Sequence, residues 1–196
     1  MIKTVLFDMD GVLIDSYRAW FEVVNAAACH YGKKPVTREQ FAEAWGQSTE
    51  ADVEKFFQGC TILELEKYYQ DHFAEYSRYI TVMPGAKEVL AELKNLGVRT
   101  AIITNTWTPL AEEVLDKLEI EPDVLVGDGD VEHSKPAPDM IYRACELLGV
   151  ELPDAIFIGD SDYDLQAARA AGVRFLGFKM ETSETIQKIG EILEYV

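Results

Sequence analysis

The sequence predicts an α/β protein: a doubly wound parallel sheet with a small helical unit inserted after the first strand. Three observations carry that prediction. From Pro84 onward, apolar runs of strand length alternate strictly with amphipathic helical segments, the pattern of βαβ crossovers. Between Tyr17 and Tyr79 the pattern stays helical and contains no strand-like run. The 196 residues, 48% of them hydrophobic, suffice for one sizeable core and a small addition. The expected division is residues 1–16 with 81–196 as the α/β core and 17–80 as a helical cap.

The first strand is the apolar, β-branched-rich run Lys3 to Phe7, which ends in Asp8-Met9-Asp10-Gly11. Gly11 can turn the backbone sharply, so a buried strand delivers two carboxylates to its carboxyl end. Two unit charges about 4 Å apart repel by roughly 4 kcal/mol at an effective dielectric near 20, and burying either alone is costly. Either Asp8 and Asp10 cap a turn, or a cation sits beside them. With oxygen donors only and no His or Cys nearby, the preference of hard cations points to Mg²⁺.

Tyr17 to about Tyr31 carries Trp20, Phe21, Val23, Val24 and Ala27 on one helical face, with Ser16 as N-cap and Gly32 and Pro35 as the stop. Thr37-x-x-Gln40 is a capping box for a second helix through Trp45, which Gly46 ends. Ser48 or Thr49 opens a third to about Phe57. Gly59 interrupts, and a fourth runs from Thr61 to about Tyr79 along the stripe Ile62, Leu65, Tyr68, Tyr69, His72, Phe73 and Tyr76. Pro84-Gly85 marks the return to alternation, with a helix to about Asn95, a strand from Val98 to Thr104 and a helix from Leu110 to Leu118. A strand near Asp123 to Val126, a helix from Pro138 to Leu148 and a strand from Ala155 to Ile158 follow. The chain closes with a helix from Leu165 to Ala171, a strand from Val173 to Phe178 and a last helix from about Thr182.

Ligands of such sheets bind beyond the carboxyl ends of the strands, so those ends are where chemistry is expected. The second strand ends in Thr104-Asn105-Thr106, hydroxyls and an amide beside a helix N-terminus, which suits an anion; Thr106 also fits an ordinary N-cap. The strand Ala155 to Ile158 ends in Gly159-Asp160-Ser161-Asp162-Tyr163-Asp164. Two acidic clusters at the ends of different parallel strands add desolvation and repulsion that a cation would offset. Between them, Pro136 and Pro138 stiffen the segment that displays Lys135.

Asp8-Met9-Asp10-Gly11, Ile103-Thr104-Asn105, Lys135-Pro136 and Gly159-Asp160-Ser161-x-x-Asp164 together resemble the haloacid dehalogenase-like superfamily, in its order and across nearly the whole chain. Within it the phosphoglycolate phosphatase and β-phosphoglucomutase-like branch is the most similar. The resemblance implies that Asp8 is a nucleophile forming an aspartyl-phosphate and that Asp10 protonates the leaving oxygen and then activates water. It implies Mg²⁺ on Asp8, the Asp10 carbonyl and Asp160, with Asp164 supporting the metal or Lys135. Thr104 would donate to the phosphoryl oxygens with the Asn105 backbone N–H, and Lys135 would spread positive charge over nucleophile and phosphate.

Asp10 sets the chain apart from the dehalogenases, which lack a carboxylate there. The related hexose-phosphate mutases carry a cap histidine where this chain has Trp20 and an arginine in the segment matching Gln47 to Glu50, which here has none. Hydrolysis of a small phosphate monoester is therefore the expectation, with 2-phosphoglycolate one candidate. The alternatives are a hexose-phosphate mutase, a phosphonatase using Lys33, Lys34, Lys55 or Lys67, and a non-catalytic phospho-ligand binder. Arg18, Trp20 and Trp107 are candidates to line the entrance for substrate; for Trp20, packing inside the cap is the other reading.

Asp plus Glu number 35 against 18 Lys plus Arg, a net charge of −17, which argues against nucleic acid or an anionic membrane as partner. Neither a signal-peptide pattern nor an apolar run of transmembrane length is present, and the three cysteines form no Cys-x-x-Cys. These features read as a cytoplasmic protein, monomer or homodimer, whose partner is a small phosphorylated metabolite.

Overall fold

The computed structural model describes residues 2–196. Strand β1 (Thr4–Phe7) is followed by a two-residue strand β2 (Ile14–Asp15) and then by helices α1 (Tyr17–His30), α2 (Arg38–Glu43), α3 (Thr49–Lys55) and α4 (Ile62–His72). Strand β3 (Thr81–Val82) leads back to α5 (Ala86–Asn95), β4 (Arg99–Trp107), α6 (Thr108–Leu118), β5 (Val124–Asp128), α7 (Asp139–Leu148), β6 (Ala155–Gly159), α8 (Asp162–Ala171), β7 (Arg174–Phe178) and β8 (Thr185–Ile186). Six strands form one parallel sheet in the order β5-β4-β1-β6-β7-β8.

Both faces of that sheet are covered because successive side chains point to opposite sides. Val5 and Phe7 pack with α5, α6 and the helical insertion, whereas Leu6 packs with Met140 and Ile141 of α7 and Ala167 and Ala168 of α8. The order puts β1 in the middle, with Phe7 in register with Ile102 of β4 on one side and Ile158 of β6 on the other. The residues that follow these positions, Asp8, Thr104 and Asp160, therefore emerge at one edge of the sheet. Gly11 makes the turn after β1 at φ +91°, and a Cβ there would lie 1.9 Å from Asp160 Oδ2.

The chain leaves and re-enters the core through an antiparallel ribbon, Ile14 opposite Val82 and Asp15 opposite Thr81. Pairs this short carry no sequence pattern and were not expected. The capping box at Thr37 forms, and Ser48 accepts from Ala51 N as the cap of α3. Ser16, expected to cap α1, makes no side-chain cap bond; its hydroxyl points to Asp10 instead. The fourth helix stops being α-helical at His72 and continues as a 3₁₀ turn, Phe73–Tyr79. Phe73, Tyr76 and Tyr79 recur every third residue, a spacing that the tighter helix aligns.

Two further expectations are corrected. β4 runs three residues past Thr104, and the Trp107–Asp128 pair with β5 forms after a register shift, so Thr106 belongs to a strand and Trp107 occupies the cap position of α6. No helix starts near Thr182. There the Thr182 hydroxyl donates to Glu184 O at 2.6 Å and Thr185 donates to Met180 O at 2.8 Å, holding a turn that competes with helix. The edge strand β8 and a 3₁₀ turn, Ile189–Glu194, follow it. Among the described residues no helix is long and apolar enough to cross a membrane.

Candidate active site

At the carboxyl edge of the sheet a buried lysine bridges two buried carboxylates. Lys135 Nζ lies 2.6 Å from Asp8 Oδ1 and 2.7 Å from Asp164 Oδ1, and it also donates to Ile103 O. Asp164 is 0% exposed and reaches this point because it is the third residue of the capping box of α8, where its Oδ2 accepts from the backbone N and hydroxyl of Ser161. Burial alone would lower the lysine pKa, but Asp164 and Asp8 raise it above the ordinary range, so the ammonium stays charged. Asp8 is pushed up, first by burial and then by Asp164, Asp160 and Asp10, against the pull of Lys135.

Asp160 faces Asp8 across the Gly11 turn. Its Oδ2 accepts from the Trp45 indole N–H at 3.0 Å, while its Oδ1 is buried without a hydrogen-bond partner. Burial, with Asp164 and Asp10 adding repulsion, pushes its carboxyl up to about 7. Oxygens of Asp8, Asp160 and Asp164 all lie within 4.8 Å of one another. An orphaned buried carboxylate oxygen inside an all-oxygen cluster fits a hard divalent cation. Both Asp164 oxygens are already engaged with Lys135 and Ser161, so Asp160 and the second oxygen of Asp8 are the better donors.

Asp10 sits in a nest of donors that fixes its orientation. Oδ1 accepts from the Ser16 hydroxyl at 2.5 Å and the Trp20 indole at 3.0 Å. Oδ2 accepts from Thr106 at 2.8 Å and Thr104 at 3.4 Å. The Asn105 side chain ties three segments together: Oδ1 accepts from Lys135 N, and Nδ2 donates to Lys135 O and Gly46 O.

A cavity opens over this cluster, lined on the core side by Asp8, Asp10, Thr104, Asn105, Thr106 and Lys135. Its other wall comes from the helical insertion and includes Trp20, Phe41, Trp45 and Asp52. Arg18 is not part of it. Two residues apart on a helix are about 200° apart, so with Trp20 turned inward Arg18 faces outward, stacked 3.8 Å over the Tyr79 ring. Trp107 lies against Gly129, and exposed His133 pairs with Asp139 at 3.2 Å. Lys33, Lys34 and Lys55 line a different cavity, and Lys67 pairs with Asp71.

The sequence did not point to Trp45, Thr106 as an Asp10 ligand, or Asp52 with Tyr69. Trp45 lies in the turn after α2 and Asp52 on the short helix α3, both far from the motifs in sequence, so only the docking of the insertion brings them in.

The sequence profile of the haloacid dehalogenase-like hydrolases matches residues 5–178. A candidate pyrophosphatase, PpaX, of Caldanaerobacter subterraneus is 36% identical over 182 residues, covering 91% of this chain and 82% of that one. The phosphoglycolate phosphatase of Neisseria meningitidis is 30% identical over 192 residues, covering 90% and 80%. A crystal structure described as a candidate phosphoglycolate phosphatase from Lactobacillus plantarum superposes with a TM-score of 0.86 at 25% identity, covering 100% of both chains.

Proposed function

From the premise that the chain belongs to the haloacid dehalogenase-like hydrolases, on their phosphoglycolate phosphatase-like branch, and is a phosphatase, we propose that it hydrolyses a small phosphate monoester through an aspartyl-phosphate on Asp8. The observation that carries this reading is the Asp8 carboxylate, which lines the cavity, has one oxygen held by Lys135 and is grouped with Asp160 and Asp164 within 4.8 Å. Residues 17–80 act as its cap.

In the first half-reaction the free oxygen of Asp8 attacks phosphorus, and the bond from phosphorus to the leaving oxygen breaks. Asp10 gives that oxygen its proton. In the second half Asp10 takes a proton from water, whose oxygen attacks phosphorus and frees Asp8 as a carboxylate. Thr106, bonded to Asp10 at 2.8 Å, orients it, and the Thr104 hydroxyl, whose contact with Asp10 is the longer one at 3.4 Å, turns with the Asn105 backbone N–H to donate to phosphoryl oxygens. Lys135 offsets charge on Asp8 and the phosphoryl group, while Asp164 positions Lys135. Mg²⁺, held by Asp8, Asp160 and the Asp10 carbonyl, would supply further charge neutralisation of the phosphoryl oxygens. The cap closes the cavity from water through Trp20, Trp45 and Gly46, whose atoms bond Asp10, Asp160 and Asn105.

No lysine of the cap lines this cavity among the described residues, which favours hydrolysis over Schiff-base phosphonate chemistry. The test is phosphate release from a panel of phosphate esters with Mg²⁺ and with chelator. Metal-dependent release that disappears in Asp8→Asn, with its circular dichroism unchanged, is expected. Release by that variant at the wild-type rate would remove Asp8 from its role.

A further inference from the structure

The end of the cavity inside the cap has a character that the hydrolytic reaction does not explain. Asp52, half-buried on α3, accepts from Gln47 Nε2 at 2.5 Å and from the Tyr69 hydroxyl at 2.8 Å, one donor to each carboxylate oxygen. Gln47, Thr49 and Tyr69 line the same end, with Trp20, Phe41 and Trp45 as apolar walls. Each Asp52 oxygen keeps acceptor capacity beyond its present donor. Burial pushes the Asp52 carboxyl up to about 6, against its bonds to Gln47 and Tyr69 and the charge of Lys55, so it is ionised at pH 7.5.

Lys135 is the one cation among the described residues that line the cavity, and it stands at the core end between Asp8 and Asp164. The cations of the cap are directed elsewhere. Arg18 lies over Tyr79, Lys55 over Phe56, and Lys33 donates to Gln58 O. A leaving group with its own carboxylate or phosphate would therefore meet Asp52 with no cation of the cap lining the cavity beside it, Lys55 acting on Asp52 only from outside. A leaving group rich in hydroxyls would meet an acceptor carboxylate, an amide and a threonine between aromatic walls.

We infer that Asp52 makes the enzyme selective for phosphate esters of uncharged, polyhydroxylated alcohols, sugar or polyol phosphates, and selective against esters whose leaving group is itself an anion. This inference rests on the hydrolase reading above and names the substrate class of the same cavity. Like charges about 5 Å apart at an effective dielectric near 20 repel enough to change a rate constant by about a hundredfold or more.

The test compares kcat/KM at pH 7.5 with Mg²⁺ for glycerol 1-phosphate and glucose 6-phosphate against 2-phosphoglycolate and pyrophosphate. The wild type is expected to favour the first pair. Asp52→Asn should raise the anionic-to-neutral ratio by about tenfold or more, and Gln47→Lys, which adds a cation beside Asp52, should move it the same way. Gln47→Lys alone decides the matter if Asp52→Asn fails to fold. A wild type that prefers 2-phosphoglycolate or pyrophosphate, or an unchanged ratio in the folded variants, overturns the inference and leaves the hydrolase reading standing. A wild type that releases phosphate from no ester overturns both.

Discussion

Replacing Lys135 by methionine removes the cation between Asp8 and Asp164 while roughly keeping side-chain volume, and its cost can be worked from the geometry. Lys135 and both partners are buried, at 2.6 and 2.7 Å, so the variant leaves neighbouring carboxylates with no compensating charge. Breaking a buried pair from one side costs about 3–5 kcal/mol. For a chain of 196 residues the unfolding entropy near 60 °C is roughly 0.4 kcal/mol/K, so the melting temperature should fall by about 7–12 °C. Calorimetry in chelator reads that fall directly. In an Asp8→Asn background the same substitution should cost markedly less, because one of the stranded charges is already gone. A fall under about 2 °C, or an equal fall in both backgrounds, would refute the view that Lys135 is held by charge.

Mg²⁺ at about a hundredfold above its Kd should raise the wild-type melting temperature by about 7 °C, corresponding to roughly 2.7 kcal/mol, and should scarcely move Asp160→Asn, as scanning fluorimetry would record. Without metal, Asp160→Asn should be the more stable protein at pH 8, since its repulsion from Asp164 and Asp10 is removed. Gly46→Ala should lower kcat with the fold retained. Gly46 has φ +85°, and its new Cβ would lie 2.8 Å from Ser161 Oγ, forcing the helical insertion off the core. Asp52 has its carboxyl raised from 3.8 to about 6 on folding, so its contribution to stability declines as pH rises from about 4 to 6 and stays low above that. The stability of Asp52→Asn relative to wild type should thus grow across that window by about 1–3 kcal/mol in urea titrations, and a flat difference would contradict the assignment.

The strand-end chemistry was readable from sequence because a parallel sheet converts spacing along the chain into proximity. Once β1, β4 and β6 are recognised, Asp8, Thr104 and Asp160 must gather at one edge, whatever the loops between them do. The cap side was not readable in the same way. Helical periodicity identifies which face of α1 is apolar, but not how the helices sit over the core, and that docking decides that Trp20 turns inward and Arg18 outward. Ser16 misled for a related reason: a hydroxyl before a helix is a cap by default, and only the folded turn reveals a stronger acceptor in Asp10. The C-terminal segment failed on local grounds, since Thr182 and Thr185 bond the nearby backbone that a helix would need.

The two indole N–H groups over Asp10 and Asp160 give the protein an optical property that no labelling is needed to exploit. Of its three tryptophans, Trp20 and Trp45 belong to the helical insertion and each touches a carboxylate of the core, while Trp107 stays within β4. Lifting the insertion would strip both indoles of their core acceptors while leaving them packed on Tyr69, Phe73, Tyr17 and Phe41 of the insertion. A movement of the insertion relative to the core would thus be followed by ultraviolet emission in the unmodified chain.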